Sequence, residues 1–125
     1  MQGALAGKRI LVVEDEYFIA TDLQRALKKQ GAVPVGPVGD LPGGLSLADE
    51  EPLDGALLDV NLEGATCYPI AERLAERSVP FVFLTGYDAW ALPGEYRDAP
   101  RVSKPFALGA VVDALGRLMP AEAQA

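Results

Sequence analysis

The chain has 125 residues, half of them apolar and 23% charged, with a net charge of −7, one cysteine and no histidine. This size and balance are typical of one globular domain, while the missing histidine excludes Ser-His-Asp and Cys-His catalysis and the acidic charge argues against nucleic acid as a direct partner. No apolar run approaches the roughly 20 residues that cross a membrane, no secretory signal is evident, and the lone Cys67 favours a reducing, cytoplasmic location.

Short apolar runs alternate with longer amphipathic ones along the chain, which is typical of βα units around a parallel sheet. In chain order, the patterns predict strands at 9–13, 32–38, 55–60, 80–84 and 100–104, and helices at 16–30, 68–77 and 106–119. Pro34 and Pro37 suit an edge position for the second strand. Two connections are weaker: a helix of about two turns from Gly44 to Glu51, and a short or irregular fourth helix within 87–99. We therefore predict a single doubly wound α/β domain, with its core at about 8–119 and short tails.

Polar residues follow the carboxyl ends of the predicted strands, where ligands bind in open parallel sheets. The residues at these ends are Glu14, Asp15 and Glu16 after the first strand, Asp59 after the third, Thr85 after the fourth and Lys104 after the fifth. If the strand order is 2-1-3-4-5, the first and third strands are neighbours, and Glu14, Asp15 and Asp59 share one cleft. At an effective dielectric constant near 20, each carboxylate pair would repel by roughly 3–4 kcal/mol. An all-oxygen cluster of this kind predicts a divalent cation, and the donor set suits Mg²⁺.

The same residues offer the chemistry of phosphoryl transfer. A metal ion and the Lys104 ammonium would balance the charge of the phosphoryl group, the Thr85 hydroxyl would donate to it, and a carboxylate could attack in line. Each residue taken alone has a simpler interpretation: Asp15 or Asp59 as a helix N-cap, Thr85 as a strand residue, Lys104 as a solvated charge. Their joint position at four strand ends favours one shared site.

With these motifs, the chain resembles the receiver domain of bacterial two-component response regulators. The resemblance rests on "RILVVEDE", "ALLDVNL", "VFLTGYD" and "VSKPF", which occur in the family's order. It implies a flavodoxin-like, CheY-like sheet of order 2-1-3-4-5, in which Asp59 accepts a phosphoryl group from a histidine kinase. It further implies Mg²⁺ held directly by Asp15, through water by Glu14, and by Asp59 and the backbone carbonyl of Asn61. Thr85 and Lys104 complete the implied site, and the Lys104–Pro105 peptide bond is implied to be cis.

Two details refine the resemblance. Most receivers carry Tyr or Phe where this chain has Arg101, so relay through that aromatic ring is not expected here. The stretch "PFVFLTGYD" resembles the FATGUY subclass, with Leu84 in the Ala position and Tyr87 directly after Gly86. Members of that subclass are often stand-alone receivers that work with HWE-type histidine kinases and signal through a loose segment after the fourth strand.

Three functional hypotheses follow. The first is a single-domain phosphoacceptor that takes its phosphoryl group from a sensor histidine kinase or phosphotransfer protein. It would catalyse its own phosphorylation and dephosphorylation. It would signal by protein contact, or act as a phosphate sink that removes phosphoryl groups from a kinase. The alternative is a phosphorylation-independent binding module. The third is a haloacid-dehalogenase-type hydrolase, which would need a second acid where Asn61 stands and a cap domain for which there is no room. Neither a nucleic acid nor a membrane partner is expected.

Three other residues receive structural interpretations. Cys67 is interpreted as a partly buried residue that fills space in the core. Trp90 and Tyr96 are interpreted either as contact residues or as cover for a short helix.

Overall fold

The structure is a computed structural model that describes residues 3–86 and 92–120. Its elements, in chain order, are β1 (Arg9–Val13), α1 (Tyr17–Lys29), β2 (Val33–Val38), α2 (Leu41–Glu50), β3 (Gly55–Asp59), β4 (Asn61–Leu62), β5 (Ala65–Thr66), α3 (Tyr68–Glu76), β6 (Phe81–Thr85), a 3₁₀ turn (Gly94–Tyr96), β7 (Arg101–Ser103) and α4 (Leu108–Leu118). Among these elements, no helix combines the length and apolar character that a bilayer span requires.

Five parallel strands form the main sheet in the order β2-β1-β3-β6-β7. Because β6 and β7 are the fourth and fifth strands of this sheet along the chain, the predicted order 2-1-3-4-5 is confirmed. The proline-containing β2 lies at one edge, as predicted, and the three-residue β7 lies at the other. The order reverses between β1 and β3, which places the predicted cleft at the carboxyl ends of these two central strands.

The core consists of two apolar layers, one on each face of the sheet. In β1, Ile10 and Val12 enter the α1/α4 layer, whereas Leu11 and Val13 enter the α2/α3 layer. The helices contribute Leu23, Leu27, Val111 and Leu115 to the first layer, and Ala48, Ile70 and Leu74 to the second. Since both faces of each central strand are buried, the strands read as continuous apolar runs rather than alternating ones.

Helix α2 is longer than predicted, because it begins at Leu41 rather than Gly44 and spans 10 residues. The Asp40 carboxylate caps it by accepting a hydrogen bond of 2.7 Å from the Gly43 N–H, and a proline occupies the first turn, where its missing N–H costs nothing. At Gly44, an added Cβ would collide with the Ile70 side chain of α3. The glycines that weaken the helical pattern therefore allow α2 and α3 to approach closely.

One further boundary and one additional element differ from the sequence pattern. Helix α4 begins at Leu108 rather than at residue 106. A short antiparallel hairpin, β4–β5, stands between β3 and α3 and was not predicted. Gly64 in its turn has φ of +72°, a left-handed conformation that glycine adopts without steric cost.

Between β6 and β7, the described residues form a 3₁₀ turn at Gly94–Tyr96 rather than an α-helix, in agreement with the expected irregular segment. The rest of the predicted fourth helix, including Tyr87 and Trp90, lies outside the described residues. Tyr96 is buried and stacks on Tyr68 with ring centroids 5.4 Å apart, so it covers the α2/α3 layer rather than forming an exposed contact residue. The Arg101 guanidinium donates hydrogen bonds to the backbone carbonyls of Tyr96 and Arg97, and thus ties this segment to β7.

Candidate functional site

Three carboxylates meet at the point where the strand order reverses. One oxygen from each of Glu14, Asp15 and Asp59 lies within 4.8 Å of the other two. Glu14 and Asp59 are only 3% and 5% exposed, whereas Asp15 is more accessible to solvent. The structure therefore brings together the three acids that the strand ends predicted.

Sheet register explains this convergence. Val13 of β1 pairs with Leu58 of β3, so the next residues, Glu14 and Asp59, emerge side by side. The Glu14 carboxylate is held by the backbone N–H of Glu16, which donates to Oε2 over 3.1 Å. The orientation of this buried acid is thus set by the turn that leads into α1.

Within the described residues, Lys104 is the one lysine whose ammonium group lies among these acids. Its Nζ lies 3.0 Å from Glu14 Oε1, 3.4 Å from Asp59 Oδ2 and 3.7 Å from Glu16 Oε2. Burial by itself would lower the pKa of Lys104, but the hydrogen bond to Glu14 and the charges of Asp59 and Glu14 outweigh it and leave the pKa above its ordinary value. The side chain therefore remains an ammonium, and its Lys104–Pro105 peptide bond is cis as expected.

The hydroxyl of Thr85 lies beside the cleft but has a partner on the neighbouring strand. Thr85 is buried, and its Oγ1 lies 3.4 Å from Ser103 Oγ, which the register of β6 and β7 places directly opposite. The Lys104 N–H donates to the Thr85 carbonyl over 2.6 Å, so the backbone positions of these two site residues are coupled. Neither the Ser103 partner nor the contact of Glu16 with Lys104 was predicted; the strand alignment in "VSKPF" is the signal that could have indicated Ser103.

Asn61 approaches one carboxylate oxygen of Asp59, and Lys104 approaches the other. The backbone N–H of Asn61 faces Asp59 Oδ1 at 3.4 Å, a long hydrogen bond. A small cleft opens next to these residues, and it is lined by Val60, Asn61, Thr66, Tyr68, Thr85, Gly86 and Leu92. Val60 and Asn61, which follow Asp59 directly in the chain, form part of the wall of this cleft.

The single Lys104 ammonium only partly neutralises the acids of the cluster. Burial, followed by the charge of Glu14 and a hydrogen bond with Asp15, raises the pKa of Asp59 to about 8, although Lys104 opposes the rise. Within the described residues, Glu14 Oε1 accepts no hydrogen bond despite its proximity to Lys104. A buried oxygen without a hydrogen bond and two further carboxylates form a hard, all-oxygen donor set, and this set fits Mg²⁺.

Cys67 is more deeply buried than the sequence suggested, with no exposed surface. Its N–H donates to the Val60 carbonyl, and burial, together with the charge of Asp59, raises the pKa of the thiol to about 12. The side chain is therefore a neutral member of the α2/α3 layer and supplies no thiolate to the site.

Comparisons with known proteins agree with this geometry. The family model for the response regulator receiver domain matches residues 10–115. Among curated proteins, the transcriptional regulatory protein PdtaR of Mycobacterium tuberculosis is 29% identical over 116 residues, which cover 90% of this chain and 57% of PdtaR. The chain thus spans little more than half the length of this relative.

Solved structures extend the comparison. SdrG from Sphingomonas melonis Fr1 is 40% identical with a TM-score of 0.77, over 90% of this chain and 95% of SdrG. The receiver domain of the sensor histidine kinase PA1611 from Pseudomonas aeruginosa PAO1, described with a magnesium ion coordinated in its active site cleft, is 26% identical with a TM-score of 0.72, over 90% of this chain and 97% of that one. From the family match and the shared fold, we conclude that the chain belongs to the response regulator receiver domain family of two-component systems.

Proposed function

We propose that this receiver domain is a Mg²⁺-dependent phosphoacceptor in a two-component phosphorelay, with Asp59 as the residue that is phosphorylated. Receiver domains interact with histidine kinases and phosphotransfer proteins. The donor proposed here is the phosphohistidine of such a protein, with an HWE-type kinase favoured by the "PFVFLTGYD" stretch. The observation that carries the proposal is the position of Asp59: a buried carboxylate within 4.8 Å of Glu14 and Asp15 and 3.4 Å from an ammonium.

The transfer itself is a displacement at phosphorus. A carboxylate oxygen of Asp59 forms a bond to phosphorus while the P–N bond of phosphohistidine breaks and its electron pair returns to the imidazole nitrogen. A bound Mg²⁺, held by Glu14, Asp15, Asp59 and the Asn61 carbonyl, would supply positive charge that offsets the repulsion between the carboxylate and the phosphoryl group.

The remaining residues would act on the phosphoryl oxygens. Lys104 is held at the cluster as an ammonium and can pair with one oxygen. Thr85 can donate its hydroxyl to another once it turns from Ser103, 3.4 Å away. Hydrolysis of the acyl phosphate by water, assisted by the same residues, would return the domain to its resting state. Receiver domains are phosphoacceptors rather than classical enzymes, and self-catalysed phosphorylation and dephosphorylation are the only reactions proposed here.

The output proposed for the phosphorylated domain is a protein contact, or the removal of phosphoryl groups from a kinase, in the cytoplasm. The presence of a single cysteine, the buried Cys67, and the net charge of −7 support a cytoplasmic protein that acts without binding nucleic acid. A phosphorylation-independent binding module is less favoured, because the acids, the hydroxyl and the lysine are all present together. A hydrolase of the haloacid-dehalogenase type would require an acid at Asn61.

The proposal is tested by incubating the protein with Mg²⁺ and a small acyl-phosphate donor and recording its intact mass. We expect one phosphate adduct on the wild type and on Asp113→Asn, which changes an exposed aspartate on α4. No adduct is expected on Asp59→Asn or after chelation of Mg²⁺. An adduct that persists on Asp59→Asn would refute Asp59 as the acceptor. If the wild type forms no adduct and does not bind millimolar Mg²⁺, the phosphorylation-independent module is the better explanation.

A further inference from the structure

Glu16 occupies the N-cap position of α1, yet its carboxylate does not act as a cap. Its backbone is held at both ends: the N–H donates to Glu14 Oε2, and the carbonyl accepts from the Ala20 N–H. Aspartate at this position commonly accepts a hydrogen bond from the first turn, whereas the longer Glu16 side chain accepts none. Its Oε2 instead lies 3.7 Å from the Nζ of Lys104.

The three acids around Lys104 differ in one respect. Glu14 and Asp59 belong to the cluster that fits a divalent cation, whereas Glu16 does not. A cation bound at the cluster would offset the charges of Glu14 and Asp59 and weaken their attraction for Lys104. Glu16, whose side chain is 61% exposed, would then be the acid that still attracts the ammonium.

We propose that Glu16 is a positioning residue that holds Lys104 at the rim of the metal-loaded, unphosphorylated site and yields it to the phosphoryl group. This inference rests on the proposed function, since it assumes that Lys104 pairs with a phosphoryl oxygen on Asp59. Glu16 and the phosphoryl group then compete for one ammonium. The presence of Glu16 therefore weakens the binding of a phosphoryl group, or of an analogue of it, at Asp59.

The competition is modest in size because Glu16 is exposed. Ion pairs between exposed side chains change equilibria by roughly twofold to fivefold. Replacing Glu16 also removes one negative charge near an anion site, which favours anion binding without any contact to Lys104. A matched control is needed to separate these two effects.

Glu63→Gln provides this control. Glu63 is exposed in the β4–β5 turn and lines a cleft together with Asp15 and Asn61, so the substitution removes the same charge close to the site. The dissociation constant of beryllofluoride, an analogue of the phosphoryl group, is measured in the presence of Mg²⁺ for the wild type, Glu16→Gln and Glu63→Gln. The NMR signals of the Lys104 ε-methylene are recorded for the same proteins, with Mg²⁺ alone and with Mg²⁺ and beryllofluoride.

We expect Glu16→Gln to bind beryllofluoride roughly twofold to fivefold more tightly than Glu63→Gln. The Lys104 signals should differ between wild type and Glu16→Gln with Mg²⁺ alone, and should coincide once beryllofluoride is bound. The role of Glu16 would be overturned if the two variants bound beryllofluoride with equal affinity. It would also be overturned if the Lys104 signals with Mg²⁺ alone were the same in the wild type and Glu16→Gln. Either result would leave the proposed function standing. If the wild type binds beryllofluoride in no condition, the proposed function and this inference both fail.

Discussion

Replacing Asp59 with asparagine removes a buried negative charge while nearly preserving the shape of the side chain. In the metal-free protein, burial and the charge of Glu14 raise the pKa of Asp59 from 3.8 to about 8. The wild-type fold must therefore either keep a proton on this carboxyl group or tolerate its charge. We expect Asp59→Asn to be more stable than the wild type at neutral pH, because the amide is neutral without taking up a proton.

The magnitude follows from the two pKa values. Neutral pH lies about 3 pH units above 3.8, and each unit corresponds to about 1.36 kcal/mol, so the variant should gain up to about 4 kcal/mol at pH 7. The native state keeps the proton to higher pH than the unfolded chain does, so unfolding releases a proton in this window. The wild type should accordingly lose stability as the pH rises from about 4 to about 8, and then lose no more through this group.

The assay is urea unfolding followed by far-UV circular dichroism, in the presence of a chelator, at several pH values across this window. Asp113→Asn serves as the control, because it removes an exposed carboxylate of α4 that does not belong to the acid cluster. We expect the difference in unfolding free energy between Asp59→Asn and the wild type to grow with pH, and the control to follow the wild type. Added Mg²⁺ at ten times its dissociation constant should stabilise the wild type by about 1.4 kcal/mol and should stabilise Asp59→Asn less.

A flat difference between Asp59→Asn and the wild type across this pH range would contradict the reasoning. So would a variant that is less stable than the wild type at every pH, because the carboxylate would then be contributing to stability rather than opposing it. Either result would mean that Lys104 offsets the buried charge of Asp59 more fully than its distance of 3.4 Å indicates.

Three further predictions concern packing and reactivity. Gly109 lies on the exposed side of α4, and an added Cβ would have no atom within 4 Å. The substitution Gly109→Ala should therefore raise the free energy of unfolding, measured in urea, by about 0.5–1 kcal/mol. Gly43→Ala places its Cβ 2.7 Å from the capping Asp40 Oδ1 and should be less stable than Gly109→Ala by about 1 kcal/mol; equal effects would refute the role of the cap. Cys67 should react with a thiol reagent only after unfolding, and prompt labelling of the folded protein would contradict its burial and raised pKa.

The positions of the site residues were predictable because they depend on strand ends. Apolar runs locate β1 and β3 in the sequence, and parallel strands present their carboxyl ends at one edge of a sheet. Glu14 and Asp59 therefore had to emerge near one another once β1 and β3 were taken as neighbours. Lys104 follows from the same reasoning applied to β7, even though only three residues of that strand are paired.

Contacts between distant segments were not predictable in the same way. The glycines of α2 look unfavourable for a helix when only α2 is considered, and the close approach of Ile70 that they permit is a property of α3. The contact of Glu16 with Lys104 joins residues 88 positions apart in the chain and depends on side-chain conformations. A local pattern records neither the partner nor the distance, so the start of α2 and the contact of Glu16 with Lys104 emerged only from the folded chain.

Because the core is divided into two layers, a substitution in one layer should have little effect on the packing of the other. The α2/α3 layer contains Cys67, whose N–H donates to the Val60 carbonyl, and Phe83, whose ring packs edge-on against the stacked pair of Tyr68 and Tyr96. The α1/α4 layer shares no member with it. Substitutions in opposite layers have few common neighbours, and their effects on stability should add. Substitutions at the buried positions of α1 and α4 should therefore leave the packing around Cys67 and Phe83 unchanged.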